Sequence, residues 1–111
     1  MTNIRILSNS GRLCGYEVTG HTGYAPQGED ILCAALSMLA ITCANAIEEI
    51  AGVKPQVYTD DNSGTLLLRL RPTQLSATTD TILKVFKLGA EQLQENYPEH
   101  IQIYETEEFQ C

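Results

Sequence analysis

The sequence predicts an α+β fold: a two-layer sandwich of a mostly antiparallel sheet with two helices, in the element order β-β-α-β-β-α-β. Three observations carry this. Short alternating segments come in two pairs, each joined by turn residues. Two longer segments place apolar residues at helical spacing. A last alternating segment follows Pro98. A chain of 111 residues has room for one core, so residues 1–111 are read as a single domain. Helices and hairpins in this order pack as a layer of helices on one sheet.

The elements follow in order. In Asn3–Ser8, Ile4 and Ile6 alternate with Arg5 and Leu7, and Asn9, Ser10 and Gly11 supply a turn. Leu13–Thr19 is the partner strand of a first hairpin. TGHTGYAPQG then holds three glycines and one proline in ten residues, the composition of a mobile loop. From Glu29 to Ala51 the spacing becomes helical, through Ile31, Leu32, Ala35, Leu36, Leu39, Cys43, Ala46, Ile47 and Ile50. Ala34, Met38, Ala40, Ile41 and Ala44 make this helix apolar almost all round, so cover on more than one side is expected. Gly52 marks its stop.

Gln56–Thr59 and Thr65–Arg71 form a second hairpin about DDNSG, closed by Pro72. Ser76 or Thr78 caps a second helix reaching about Glu95. Its expected buried stripe is Ile82, Val85, Phe86, Gly89 and Leu93, with Lys84, Lys87, Glu91 and Glu95 in water. His100–Glu105 is the last strand, His100 itself being read as solvated, and the acidic tail ETEEFQC is expected to fray.

Charge and composition exclude several functions. Seven basic against fourteen acidic residues give a net charge of −7, the wrong sign for a phosphate-backbone footprint. No Trp and 6% aromatics leave little for stacking single-stranded bases. Direct nucleic-acid binding is therefore not expected. MTNIRILSNS has no apolar run of signal-peptide length, and no segment holds about 18 unbroken apolar residues. No membrane association is expected, and the expected location is the cytoplasm. There Cys14, Cys33, Cys43 and Cys111 are expected as thiols. No CxxC pair occurs, so neither a zinc knuckle nor a dithiol redox motif is indicated.

The chemistry is concentrated in GHTGYAPQGEDILCAALS, residues 20–37. His21 lies in the glycine-rich loop and Cys33 at a helix start. If Glu29 or Asp30 caps that helix, Cys33 falls in its first turn. Amides there lack intrahelical partners, and the helix dipole favours an anion. Both effects favour the thiolate, the attacking form of cysteine. A loop that folds His21 over the helix start makes a Cys/His pair, and the same amides can hold an oxyanion. Acyl transfer is chemically reasonable here. Against it stands the usual role of cysteine as a small buried hydrophobe. That role suits Cys14 and Cys43. Asp30 is a helix cap or orients His21. Ser37, one turn after Cys33, contacts the site or bonds a backbone carbonyl. A metal site of Cys33, His21 and Asp30 has three ligands at a spacing that matches no metal motif, so no metal or other cofactor is expected.

The same segment closely resembles the signature of the ribosomal-processing cysteine proteases, the Prp family. Gly20-His21, Gly23-Tyr24, Gly28-x-Asp30 and Cys33-Ala34-Ala35-x-Ser37 each match an element of that signature, in order. Length, acidity and element order match more loosely over the whole chain. The resemblance implies a cysteine endopeptidase with Cys33 as nucleophile and His21 as its histidine. Its implied substrate is the precursor of a large-subunit ribosomal protein, number twenty-seven of its series. The short N-terminal extension is removed by a cut after a hydrophobic stretch ending in Phe residues. A homodimer with a flexible loop over the site is also implied, and the all-round apolar helix is consistent with a second copy. In this reading Tyr24 and Ala25 line a pocket for an extended peptide. Gly20, Gly23 and Gly28 are loop hinges, and Asp30 and Ser37 orient the site or bind substrate. The competing reading is a non-catalytic binding module in ribosome assembly, which keeps the acidic surface and needs no reactive Cys33.

Overall fold

The structure is a computed structural model and describes residues 1–20 and 31–108. Its elements are β1 (Thr2–Asn9), β2 (Arg12–Thr19), α1 (Ile31–Glu49), β3 (Gln56–Asp60), β4 (Thr65–Arg69), α2 (Ala77–Asn96) and β5 (Ile101–Glu107), with a short 3-10 turn at Pro72–Gln74. The expected class and element order are both present.

The five strands form one sheet in the order β3-β4-β2-β1-β5. Every pairing is antiparallel except β1 with β5. The first hairpin turns through two residues. Asn9 pairs with Arg12, while Ser10 and Gly11 both take positive φ, 55° and 81°. Such a turn matches the right-handed twist of the flanking strands. Gly15 in β2 stands opposite Arg69 of β4. A Cβ there would lie 2.1 Å from the Leu68 carbonyl oxygen, so only glycine lets β2 and β4 approach this closely.

Both helices pack on one face of the sheet. Ile4, Ile6, Tyr16, Val18 and Leu68 of the strands meet Leu36, Ala40, Cys43 and Ile47 of α1 and Ile82, Leu83, Phe86 and Ala90 of α2. Removal of such side chains from water contributes about 1.5–3 kcal/mol each for the larger ones. Tyr16 is the centre of this core. Its ring stacks on Phe86 with centroids 3.7 Å apart, and its hydroxyl donates to the Ala40 carbonyl at 2.7 Å. On the other face Leu7 and Cys14 form a smaller cluster with Leu67 and Leu75.

Ser76 is the N-cap of α2. Its hydroxyl accepts from the Thr79 N–H at 3.2 Å, and Thr79 Oγ1 accepts in return from the Ser76 N–H at 2.8 Å. This reciprocal pair satisfies two amides at the helix start. Four expectations need correction. Val85 is exposed, and Leu83 and Ala90 take its place in the buried stripe of α2. The tail is ordered through Glu108. Glu105, Thr106 and Glu107 pair with Ile6, Leu7 and Ser8, and the Glu108 N–H donates to the Ser8 carbonyl at 2.7 Å. β1 offers an open edge there, which a propensity argument about acidic residues does not see. His100 is half-buried and precedes β5, its carbonyl accepting from the Thr2 N–H at 2.9 Å. Finally, Cys33 and Cys43 carry no disulfide, whereas Cys14 is disulfide-bonded. The thiol expectation rested on compartment alone and carried no information about proximity. Cys111 lies outside the described residues.

The helix α1 has the length and mean hydropathy, 1.8, of a membrane span, although Ser37, Thr42 and Asn45 interrupt it. Its inner face is committed to the core described above. Its outer face is apolar and open: Ile31 is 69%, Met38 68% and Ile41 50% exposed.

Candidate active site

The site lies where α1 begins above the end of the sheet. Cys33 is the third residue of α1 and is half-buried; Leu32 and Leu36 on either side of it are buried in the protein. These two leucines fix the rotation of the helix, so Cys33 falls at the margin between core and water. Ser37, one turn further on, is exposed on the same side.

Cys33 and Ser37 line a cleft of about 260 Å³. Its floor and far wall come from strand ends and from the turn between β3 and β4: Thr2, Gly20, Thr59, Asp60, Asp61 and Thr65. The cleft crosses four neighbouring strands, from β1 through β2 and β4 to β3. Three strand spacings amount to about 14 Å. That is room for roughly four residues of extended peptide.

The two ends of the cleft differ in chemistry. At the β1 end, Thr2 is almost wholly buried beside Val18 and Leu36. At the β3 end stand two carboxylates, with no Lys or Arg among the described lining residues. Asp60 Oδ1 accepts the Asn62 N–H at 3.0 Å, which shapes the turn. The Ser63 hydroxyl and Thr65 hydroxyl share a hydrogen bond of 2.7 Å behind it. Gly20 ties this turn to the end of β2, donating its N–H to the Ser63 carbonyl at 3.0 Å. With φ of +87°, and with the Met1 carbonyl oxygen 2.9 Å from where a Cβ would sit, this position requires glycine.

Of the residues singled out in the sequence, Cys33, Ser37 and Gly20 come together at one cleft. His21, Gly23, Tyr24, Gly28 and Asp30 lie outside the described residues, as does Ala25. Thr2, Asp60 and Asp61 were not anticipated. DDNSG was legible as a turn, but its place opposite Cys33 depends on β4 lying beside β2, and strand order is not written in a local pattern.

Burial sets the other thiol apart. Cys43 is 5% exposed inside the core, and desolvation pushes its thiol up from the ordinary range. It is enclosed among the core side chains of the two helices and the sheet. Among the described residues, Cys33 is the thiol that faces a cleft.

An α+β domain with a cysteine at the start of its first helix, over a peptide-sized cleft, has the layout of a cysteine protease. The sequence model of the family described as cysteine protease Prp matches residues 1–102, and the chain belongs to that family. Ribosomal processing cysteine protease Prp of Staphylococcus aureus is 26% identical over 97 residues, covering 87% of this chain and 91% of the relative. The Bacillus subtilis protein of the same name is 28% identical over 57 residues, 51% of each chain. Among solved structures, the S. aureus Prp protease with a covalently linked product peptide superposes with a TM-score of 0.88 at 25% identity, covering 96% of this chain and 100% of that one. A Streptococcus mutans crystal structure superposes with a TM-score of 0.85 at 28% identity, covering 97% and 96%.

Proposed function

We propose that this protein is a cytoplasmic cysteine endopeptidase that removes the short N-terminal extension of a ribosomal protein precursor. The substrate is the large-subunit protein numbered twenty-seven, cut after its hydrophobic Phe-containing stretch. The observation that carries this reading is Cys33, half-exposed near the start of α1 and lining a cleft long enough for an extended peptide. The names of the S. aureus and B. subtilis relatives, and the product peptide linked to the S. aureus structure, support it.

In the mechanism, Cys33 Sγ attacks the scissile carbonyl carbon as a thiolate. The carbonyl π electrons move to oxygen, and the positive end of α1 stabilises the oxyanion. The tetrahedral centre collapses, the C–N bond breaks, and His21 gives its proton to the leaving amine. A thioester remains on Cys33. Water then adds to it while His21 takes one water proton; collapse expels the Cys33 thiolate and leaves a carboxylic acid, which releases its remaining proton to solvent to become the carboxylate product. Asp30 and Ser37 orient the site or hold substrate, Tyr24 lines the peptide pocket, and Gly20, Gly23 and Gly28 are hinges of the loop that carries His21. The reaction needs no metal or cofactor.

The acidic end of the cleft and the net charge of −7 suit a basic ribosomal substrate. The active form is a homodimer joined through the outer face of α1, where Ile31, Met38 and Ile41 stand in water.

The test is direct. The purified protein is incubated with the ribosomal protein precursor and the precursor's N-terminus is followed by mass spectrometry. The wild-type protein removes the extension, and Cys33→Ala and His21→Ala leave it in place. Equal cleavage by Cys33→Ala overturns the assignment of the nucleophile. An intact precursor after incubation with wild type overturns the substrate.

A further inference from the structure

Thr2 opens β1 and is 1% exposed. Ile4 and Ile6, its neighbours at alternate positions, pack into the core beneath the helices. The period of a strand therefore aims the Thr2 side chain to that same face, at the cleft that Cys33 lines. The Thr2 N–H is engaged by the His100 carbonyl. The hydroxyl is not engaged: Thr2 Oγ1 is buried and has no hydrogen-bond partner among the described residues.

A buried hydroxyl left without a partner costs about 1–3 kcal/mol. Valine has the same shape and avoids that cost. A polar group kept in such a place, facing a cleft, is explained if its partner comes with the ligand. The hydroxyl is both donor and acceptor, and a peptide main chain offers both a carbonyl and an N–H. Around it, Val18, Leu36 and Ala40 make the lining apolar, which strengthens a hydrogen bond formed there.

We propose that Thr2 is a substrate-binding residue, whose Oγ1 hydrogen-bonds a main-chain peptide group of the chain held in the Cys33 cleft. It anchors the β1 end of that chain and is indifferent to the substrate's side chains at that point. This inference rests on the peptidase reading and adds a contact that reading does not supply.

The test separates the two. A fluorescein-labelled peptide spanning the processing junction of the ribosomal protein precursor is titrated by anisotropy against the Cys33→Ala protein, which binds without cutting. Adding Thr2→Val weakens binding about tenfold, while adding Thr2→Ser, which keeps the hydroxyl, leaves affinity within about twofold. The melting temperature of the valine variant equals or exceeds that of its parent, because an orphan polar group has been removed. Binding by the valine variant within about twofold of its parent overturns this inference alone. So does a lowered melting temperature with unchanged affinity, which marks a purely structural residue. No binding by the Cys33→Ala parent overturns the peptidase reading itself.

Discussion

Tyr16 of β2 holds the Ala40 carbonyl of α1 through a 2.7 Å hydrogen bond from its phenolic hydroxyl. This bond joins the sheet to the helix two turns below Cys33 and sets how far α1 slides along the strands. Tyr16→Phe keeps the stack on Phe86 and removes only the hydroxyl. The expected loss is about 1 kcal/mol of stability, read as a lower denaturation midpoint in urea at unchanged slope. Unchanged stability contradicts an anchoring role for this bond.

Tyr16 and Cys43 also set an alkaline limit. Burial pushes both groups up from their ordinary ranges, and the Cys43 charge adds to the effect on Tyr16. Above roughly pH 8.5 the unfolded chain gives up the thiol proton, while the folded chain keeps it. Stability contributed by the neutral form is therefore complete below that pH and is lost as pH rises. Melting temperature is expected to hold through neutral pH and to fall above it, with Cys43→Ala reducing the initial fall. The same burial predicts that iodoacetamide labels Cys33 in the native protein and spares Cys43 until it unfolds. Equal labelling rates by mass spectrometry contradict this.

Gly20 links the end of β2 to the β3–β4 turn and leads directly toward His21. Gly20→Ala places a methyl group against the Met1 carbonyl and forces an alanine to positive φ, which together cost roughly 1–3 kcal/mol. Peptide cleavage is expected to fall more than global stability, because the strain is concentrated at the cleft. An alanine variant with unchanged kcat/KM and melting temperature contradicts the assignment.

Met38 and Ile41 face water on α1. Light scattering at micromolar concentration is expected to give twice the 12.2 kDa chain mass. Met38→Asp with Ile41→Asp is expected to give the monomer, because charge is not tolerated in an apolar dimer contact. A monomer mass for the wild-type protein contradicts the dimer.

Asp60 and Asp61 give the cleft one acidic end. Processing of a basic precursor should slow several-fold between low and physiological ionic strength through a lower kcat/KM. Asp60→Asn with Asp61→Asn should flatten that dependence. A salt-independent rate contradicts electrostatic capture.

How legible all this was depends on range. The strands around Ile4 and Ile6, the turn at Ser10 and Gly11, and the Ser76 cap are local patterns, and each stands where its pattern says. Cys33 at a helix start was equally local. Val85 is exposed because Leu83 and Val85 flank the Ile82–Phe86 stripe on opposite edges, and only the position of the sheet decides which edge is covered. Thr106 and Glu107 pair because β1 needs a neighbour on its far side, which no property of those residues announces. Thr2 and Asp61 meet at one cleft through strand order, and strand order is a property of the whole chain.

The parallel pairing of β1 with β5 has a consequence for the timing of assembly. Thr2 sits beside Ile101, across nearly the entire length of the chain. The strand that floors one end of the cleft obtains its outer neighbour only after residues 101–107 have been synthesised. Contacts so distant in sequence form late and slowly. A copy without residues 101–107 thus leaves β1 as a bare sheet edge, so the support beneath Thr2 is the last part of the sheet to be completed.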